Sequence, residues 1–419
     1  MPKNRIFSVI LFLSGLFFSF AQASSAASVS GFFDSGKKST LEDYESEERS
    51  EDYTFQKYFL RWDAKLSPQL DTSVSVQECD KDYQQSTSLD NKIRSLKSGW
   101  AYMIQKDSQA SLGADLDLKC QAKRFTDSPI NEYDQIKALP SISYDKKDDY
   151  RIDFALGLDD YVYPEAGQKD QRSLLSSLGI NKFLLDKRLR LIGDYKIENT
   201  RRQVSDRRKA KQDVTTGFDY TFNLTWIEKL TSRLSFAQRD TKSEEERDDD
   251  FDYTYRQFYI KTSHKLKSGL DTTLKYQYFR RDYLGTDLDN RGFLLANRWA
   301  YDWFDNEQQK TWLVAGIEHK RVDFVFLDAD DLDKNALSAA ITFQRKESWE
   351  ASCGFARDIY RYRDRDQDQR ADYFLAGVKK WFEDKTASIY LDYRLKLTDY
   401  RTRNSTQNQT IRVGFERAV

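Results

Sequence analysis

Apolar and polar residues alternate with a period of two along most of the chain. In TASIYLDYRLKLTDY (386–400), Ala387, Ile389, Leu391, Tyr393, Leu395 and Leu397 are interleaved with Ser388, Tyr390, Asp392, Arg394, Lys396 and Thr398. Successive side chains of a strand point to opposite sides, so this spacing predicts a β-strand with one oily and one wet face. KYFLRWDAKL repeats the pattern, setting Tyr58, Leu60, Trp62 and Ala64 against Arg61 and Asp63. In YRIDFALGL, Arg151 and Asp153 lie between Tyr150, Ile152 and Phe154. In RLRLIGDYKIE, Leu189, Leu191, Tyr195 and Ile197 face away from Arg188, Arg190, Asp194 and Lys196. Lys275 sits between Leu274 and Tyr276, and Ile411, Val413 and Phe415 close the chain. Segments 253–263 and 373–381 alternate less cleanly. Pro140 falls inside a predicted strand, where a missing N–H is disfavoured.

The connections between these runs are of two alternating kinds. Short ones are predicted near Ser67–Gln69, Lys106–Ser108, Lys146–Asp148, Leu185–Asp186, Lys265–Lys267, Lys346–Glu347 and Glu383–Asp384. Longer, strongly charged ones are predicted near 35–51, 84–91, 202–210, 241–250, 326–334, 362–369 and 399–405. Trp226, Trp303, Trp349 and Trp381 lie beside short turns, whereas Tyr53, Tyr83, Tyr161, Tyr163, Tyr283, Tyr360, Tyr362 and Tyr400 lie at long-loop ends. Two aromatic belts separated by alternating strands are the layout of a membrane-spanning β-barrel. The spacing predicts about 18 to 20 strands, since a tilted spanning strand takes about 10 residues plus its connection. Hydrocarbon offers no partner for backbone N–H or C=O, so such a sheet must close on itself. A cylinder this wide cannot be filled by side chains, so its inner face is expected to be wet.

The N-terminus strengthens this reading. Lys3 and Arg5 precede an apolar run from Phe7 to Phe20 and then Ala21-Gln22-Ala23, an A-x-A cleavage pattern. Residues 1–23 therefore read as a secretory signal peptide and 24–419 as an exported barrel. Charged residues make up 32% of the chain yet the net charge is −1, which excludes a basic nucleic-acid binder. Cys79, Cys120 and Cys353 are an odd set, and parity puts Cys79 and Cys120 on opposite faces, so three isolated thiols are expected.

From about residue 28 to the end, the pattern resembles bacterial outer-membrane β-barrels of the general porin kind. The resemblance implies an all-β, transmembrane, antiparallel up-and-down barrel in the bacterial outer membrane, in contact with lipid and lipopolysaccharide. It also implies delivery by the barrel assembly machinery, which reads an alternating terminal strand with a C-terminal aromatic. Ile411, Val413 and Phe415 fit that signal, but Glu416-Arg417-Ala418-Val419 follows and departs from it. The charged hairpins also look like barrels found beside exopolysaccharide export systems, which work with periplasmic partners.

Catalytic chemistry has little to draw on. There are two histidines, His264 beside a short turn and His319 on an apolar face. No enzyme is expected, and no cofactor. Asp248–Asp250 and the acidic run at 328–333 lack the spacing and glycine of a calcium loop, and no metal site is assigned. Arg201, Arg202, Arg207, Arg208, Lys209 and Lys211 read as solvated loop charge. What remains is the lumen. Arg61, Asp63, Arg151, Asp153, Arg188, Arg190, Asp194, Lys196, Lys275, Asp392, Arg394 and Lys396 all fall on inward positions, where charge can sort solutes. The expected function is passage of small hydrophilic solutes through a charged lumen, with segment 35–51 as candidate constriction. The alternatives are a polymer-export barrel and a non-conducting surface barrel.

Overall fold

The computed structural model describes residues 26–41, 53–83, 90–202, 208–224, 227–243, 252–284, 288–325, 331–346, 348–382, 386–402 and 405–418. Residues 1–23, expected from the sequence to be a signal peptide, lie outside them, as do Asp248–Asp250, Arg207 and Trp226. The first five strands are β1 (Ala26–Leu41), β2 (Tyr53–Ser67), β3 (Leu70–Tyr83), β4 (Asn91–Lys106) and β5 (Ala110–Phe125). Next come β6 (Tyr133–Lys146), β7 (Tyr150–Val162), β8 (Gln171–Leu184), β9 (Leu189–Arg202) and β10 (Arg208–Leu224). The second half opens with β11 (Ile227–Ser243), β12 (Tyr253–Leu266), β13 (Leu270–Tyr283), β14 (Asn290–Asp305) and β15 (Gln309–Phe324). It ends with β16 (Leu332–Arg345), β17 (Trp349–Tyr362), β18 (Gln369–Phe382), β19 (Ala387–Tyr400) and β20 (Ser405–Ala418).

Each strand pairs antiparallel with its neighbours in sequence, and β1 pairs with both β2 and β20. The sheet is thus a closed, up-and-down barrel of 20 strands. The even number places the start of β1 and the end of β20 on one rim. That rim carries connections of two to four residues, and the other carries connections of four to eleven. The seam between β1 and β20 is in register from Ser28↔Ala418 to Leu41↔Ser405. Across it Arg412 donates to Asp34, with Nη2 to Oδ2 at 2.9 Å, and its guanidinium lies 4.5 Å from the Phe32 ring centroid. Asp34 is only 4% exposed, so this ion pair closes the barrel from inside the wall.

Segment 35–51 is not an inward loop over its described part. Residues up to Leu41 continue β1 within the wall, because Ser35, Gly36, Lys37 and Lys38 stay paired on both sides. Pro140 does lie within β6. It sits opposite Leu116 of β5, while the β6–β7 ladder runs Ala138↔Leu158 and then Ser141↔Ala155, skipping it. Gly157 fills that gap, its bare α-carbon close against the Ala138 carbonyl.

The two rims are built differently. At the short turns, Asp107 accepts the N–H groups of Gln109 and Ala110, both at 2.7 Å. Asn306 does the same for Gln308 and Gln309, so a side chain replaces the missing ladder partner. At the long-loop rim, an aspartate just before a strand accepts the N–H at the end of the strand before it. Asp170 takes Tyr163, Asp252 takes Ser243 and Asp289 takes Tyr283, at 2.6, 2.7 and 2.6 Å. Asp331 takes Phe324 and Asp368 takes Tyr362, at 2.7 and 2.8 Å. These clamps pin the loop bases.

Candidate functional site

Paired residues of an antiparallel ladder share a face. Following the pairs round the ring divides the wall into two continuous surfaces that meet consistently at the seam. One carries Tyr58, Leu60, Phe154, Leu156, Phe236, Leu274, Leu337, Ile389, Leu391 and Phe415, each 42–54% exposed despite being large and apolar. A continuous apolar band of this kind round a closed barrel fits against hydrocarbon. The other is mostly polar and lines the concave side, where Arg61, Asp63, Ser73, Asp115, Asp117 and Ser141 border one hollow. Fourteen-residue strands at a tilt of about 40° give a wall about 35 Å tall, against an apolar band of about 25 Å. The excess lies largely at the long-loop rim, where the outer face turns charged: Arg94 with Glu78, Arg172 with Asp160, Arg321 with Asp323. The architecture is that of an outer-membrane β-barrel.

The strand register puts Arg61, Asp63, Arg151, Asp153, Arg190, Asp194, Lys196, Lys275, Asp392, Arg394 and Lys396 on the polar face. Arg188 is different: it precedes β9, in the turn that begins at Leu185, so it belongs to the short-turn rim and not to the wall. Leu185, Asp186 and Lys187 all take positive φ there, which forces the chain round before the alternation restarts at Leu189. The wall residues do not converge on one point. Arg61 bonds Asp63 at 2.7 Å and Arg151 bonds Asp153 at 2.9 Å, each pair lying along a single strand. Arg190 donates to Asn181 at 2.7 Å, and Lys396 lies 5.2 Å from the Tyr373 ring centroid.

The belt of tyrosines at the long loops stands at the expected level but on the other face. Tyr53, Tyr83, Tyr161, Tyr283, Tyr360, Tyr362 and Tyr400 all share the polar, inward surface with Tyr133 and Tyr253. Their rings meet across strands: Tyr53 and Tyr83 at 5.0 Å, Tyr133 and Tyr161 at 5.5 Å, Tyr253 and Tyr283 at 5.5 Å. Arg281 lies within 5.4 to 5.8 Å of Tyr253, Tyr255 and Tyr283. They form an inner collar, not a lipid-facing girdle. Nearness to a loop gave their height; only pairing gives their side.

The histidines sit on the outer surface. His264 meets Thr272 near the short-turn rim, and His319 lies 5.4 Å from the Phe293 ring and 3.0 Å from Asn335. Cys79 faces inward beside Lys57, whereas Cys120 and Cys353 face outward. The three thiols are free. Among the described residues no cluster of His, Cys, Asp and Glu is arranged to hold a metal ion.

Sequence reasoning missed the aspartate clamps. Their signal is an Asp immediately before the first residue of a strand, repeated at Asp170, Asp252, Asp289, Asp331 and Asp368.

No family model matches the chain, and no curated protein matches it. Among solved structures it is similar to Pseudomonas aeruginosa OpdQ, with 10% identity and a TM-score of 0.49 over 94% of this chain and 98% of that one. It is similar to Pseudomonas aeruginosa OccK5 (OpdH), with 9% identity and a TM-score of 0.48 over the same shares. A bacterial polysaccharide outer membrane secretin is also similar, with 8% identity and a TM-score of 0.36 over 93% of this chain and 97% of that one.

Proposed function

We propose that the protein is an outer-membrane pore through which small hydrophilic solutes pass, and that it transports rather than catalyses. The observation that carries this reading is the closure of a 20-strand ring with its polar face inward. Twenty strands spaced about 4.8 Å apart and tilted about 40° enclose a cylinder about 40 Å across between opposite backbones. Facing side chains cannot bridge that width, so water fills the interior. Most charges of the wall then keep contact with water, which lowers the cost of placing them there.

Outer-leaflet lipid and lipopolysaccharide contact the apolar band and the charged outer rim in this reading. The barrel assembly machinery delivers the chain, with Ile411, Val413 and Phe415 of β20 as the terminal strand's outward residues. Conductance of the purified full-length protein in planar lipid bilayers is the test. Stepwise channel openings are expected in potassium chloride, and their complete absence would sink the pore reading in favour of a non-conducting surface barrel. A pore that passes long polymers but shows no size cut-off toward uncharged sugars would favour the polymer-export alternative.

A further inference from the structure

The inner wall brings like charges side by side. On β4, β5 and β6 the register sets Lys97 opposite Lys119 and Lys119 opposite Lys137. On β11, β12 and β13 it sets Arg233 opposite Lys261 and Lys261 opposite Lys275. Like charges directly opposite one another destabilise a sheet, so neither row is explained by the stability of the wall.

Counter-charge on the wall is short at both places. In the first row Lys119 Nζ donates to the neutral Gln135 at 2.7 Å, and Lys137 reaches Asp159 only at 3.7 Å. Lys97 forms no ion pair among the described residues, and Asp117 is the carboxylate that shares its hollow. In the second row Arg233 bonds Asp219 at 2.6 Å. Lys261, Lys275 and Arg298 border a hollow of about 600 Å³ with Lys334, Glu318 and Asp358. Both of those carboxylates already bond Lys334, at 3.1 and 3.4 Å. Lys261 and Arg298 form no ion pair among the described residues, and Lys275 rests on the Tyr259 ring at 5.7 Å. Ala296, Gly316, Ala336, Ser338 and Ala356 make the floor, so the cations stand over small side chains with room above them.

Building on the pore reading, we infer that these two hollows are anion-binding patches that make the pore selective for oxyanionic solutes, those bearing carboxylate or phosphate groups. Both lie near the middle of their strands and on opposite halves of the ring. A solute passing along either of these stretches of wall meets a row of cations. An anion's oxygens supply the counter-charge that the wall lacks, and their binding relieves the repulsion within each row. Selectivity arises because a cation approaching the same rows meets unshielded positive charge within the screening length of about 8 to 10 Å.

Reversal potentials of the full-length protein in a potassium chloride gradient test the inference. A chloride-to-potassium permeability ratio above 1 is expected at about 0.01 M salt, where a screening length of about 30 Å lets the fields of the rows span the lumen. The ratio should fall toward 1 in a protein carrying K97Q, K119Q and K137Q together with K261Q, K275Q and R298Q. Citrate and inorganic phosphate, added separately, should each block the wild-type current and spare that of the variant. Block by one alone names the preferred group. The absence of any current sinks the pore reading and this one together. Current without anion preference, or a preference the variant keeps, overturns this inference and leaves the pore intact. Thermal unfolding of the wild type supplies a readout that needs no variant. Citrate at about 1 mM, too dilute for its general salting-out effect, should raise the Tm above that in chloride at equal ionic strength, and an unchanged Tm would count against the patches.

Discussion

Phe236 and Ala237 are neighbours in β11, and the wall assigns them opposite surroundings. Phe236 is the tenth residue of the strand Ile227–Ser243, so it sits near mid-height. It is 42% exposed and pairs with Thr216 and Phe258. Val214 and Phe218 on the adjacent strand share its outward face, at 39% and 37% exposure. Ala237 pairs with Thr215 and Gln257 on the inner face, one step from the Asp213–Arg239 ion pair. An arginine introduced at Phe236 would project into the outer part of the apolar band, above the bilayer midplane, at a cost of about 2 kcal/mol. The same arginine at Ala237 would extend into water beside Asp213 and should cost within about 1 kcal/mol. The difference, about 1–2 kcal/mol, corresponds to about a 5- to 30-fold change in the folding equilibrium, roughly tenfold per 1.4 kcal/mol. Guanidinium unfolding in lipid vesicles, followed by tryptophan fluorescence, reads both variants against the wild type. Equal costs would mean that the wall does not separate lipid from water, and a larger cost at Ala237 would mean that the faces are reversed.

Three further outcomes follow from the wall. Arg412→Ala leaves the nearly buried Asp34 carboxylate unpaired across the β1–β20 seam and should destabilise the barrel by about 3 kcal/mol; combining it with Asp34→Asn should recover part of that in the same assay. At Gly292 an added Cβ would collide with the Arg321 backbone carbonyl, whereas at Gly414 it meets the ring of Tyr390, which can swing aside. Gly292→Ala should therefore cost about 1–3 kcal/mol and Gly414→Ala less, and the reverse order would contradict the β14–β15 and β19–β20 registers. Asp289→Ala removes the acceptor for the Tyr283 N–H and should speed protease cleavage between β13 and β14, while Asp289→Asn, which keeps an acceptor oxygen, should not; equal cleavage would show the clamp to be idle.

Much of this was legible along the chain. Strict alternation in 387–398 fixed which residues of β19 share a face, because side-chain direction in a strand follows from the backbone alone. Connection lengths sorted the two rims, and the export-like N-terminus together with the oily face argued for closure in a membrane. The level of Tyr400 could be read from its place beside a loop. Its side could not, since the alternation is weak at strand ends and only the Gln369↔Tyr400 pairing settles it. Arg188 shows the same limit from the other end: its parity matched Arg190, but three residues of positive φ precede it and take it out of the strand.

The lumen charge lay beyond the sequence for a different reason. A net charge of −1 is a sum over both faces and all loops, and the acidic residues are concentrated in the connections. Lys97, Lys119 and Lys137 are 22 and 18 positions apart in sequence, and nothing local marks them as neighbours. Parity determines the face of each lysine within its own strand. Register between strands, fixed by turn geometry and by closure of the ring, decides that the three stand in one row. Sequence alone therefore determined that this protein is a barrel with an oily outer and a polar inner face. Tertiary structure decided where along that interior the positive charge accumulates.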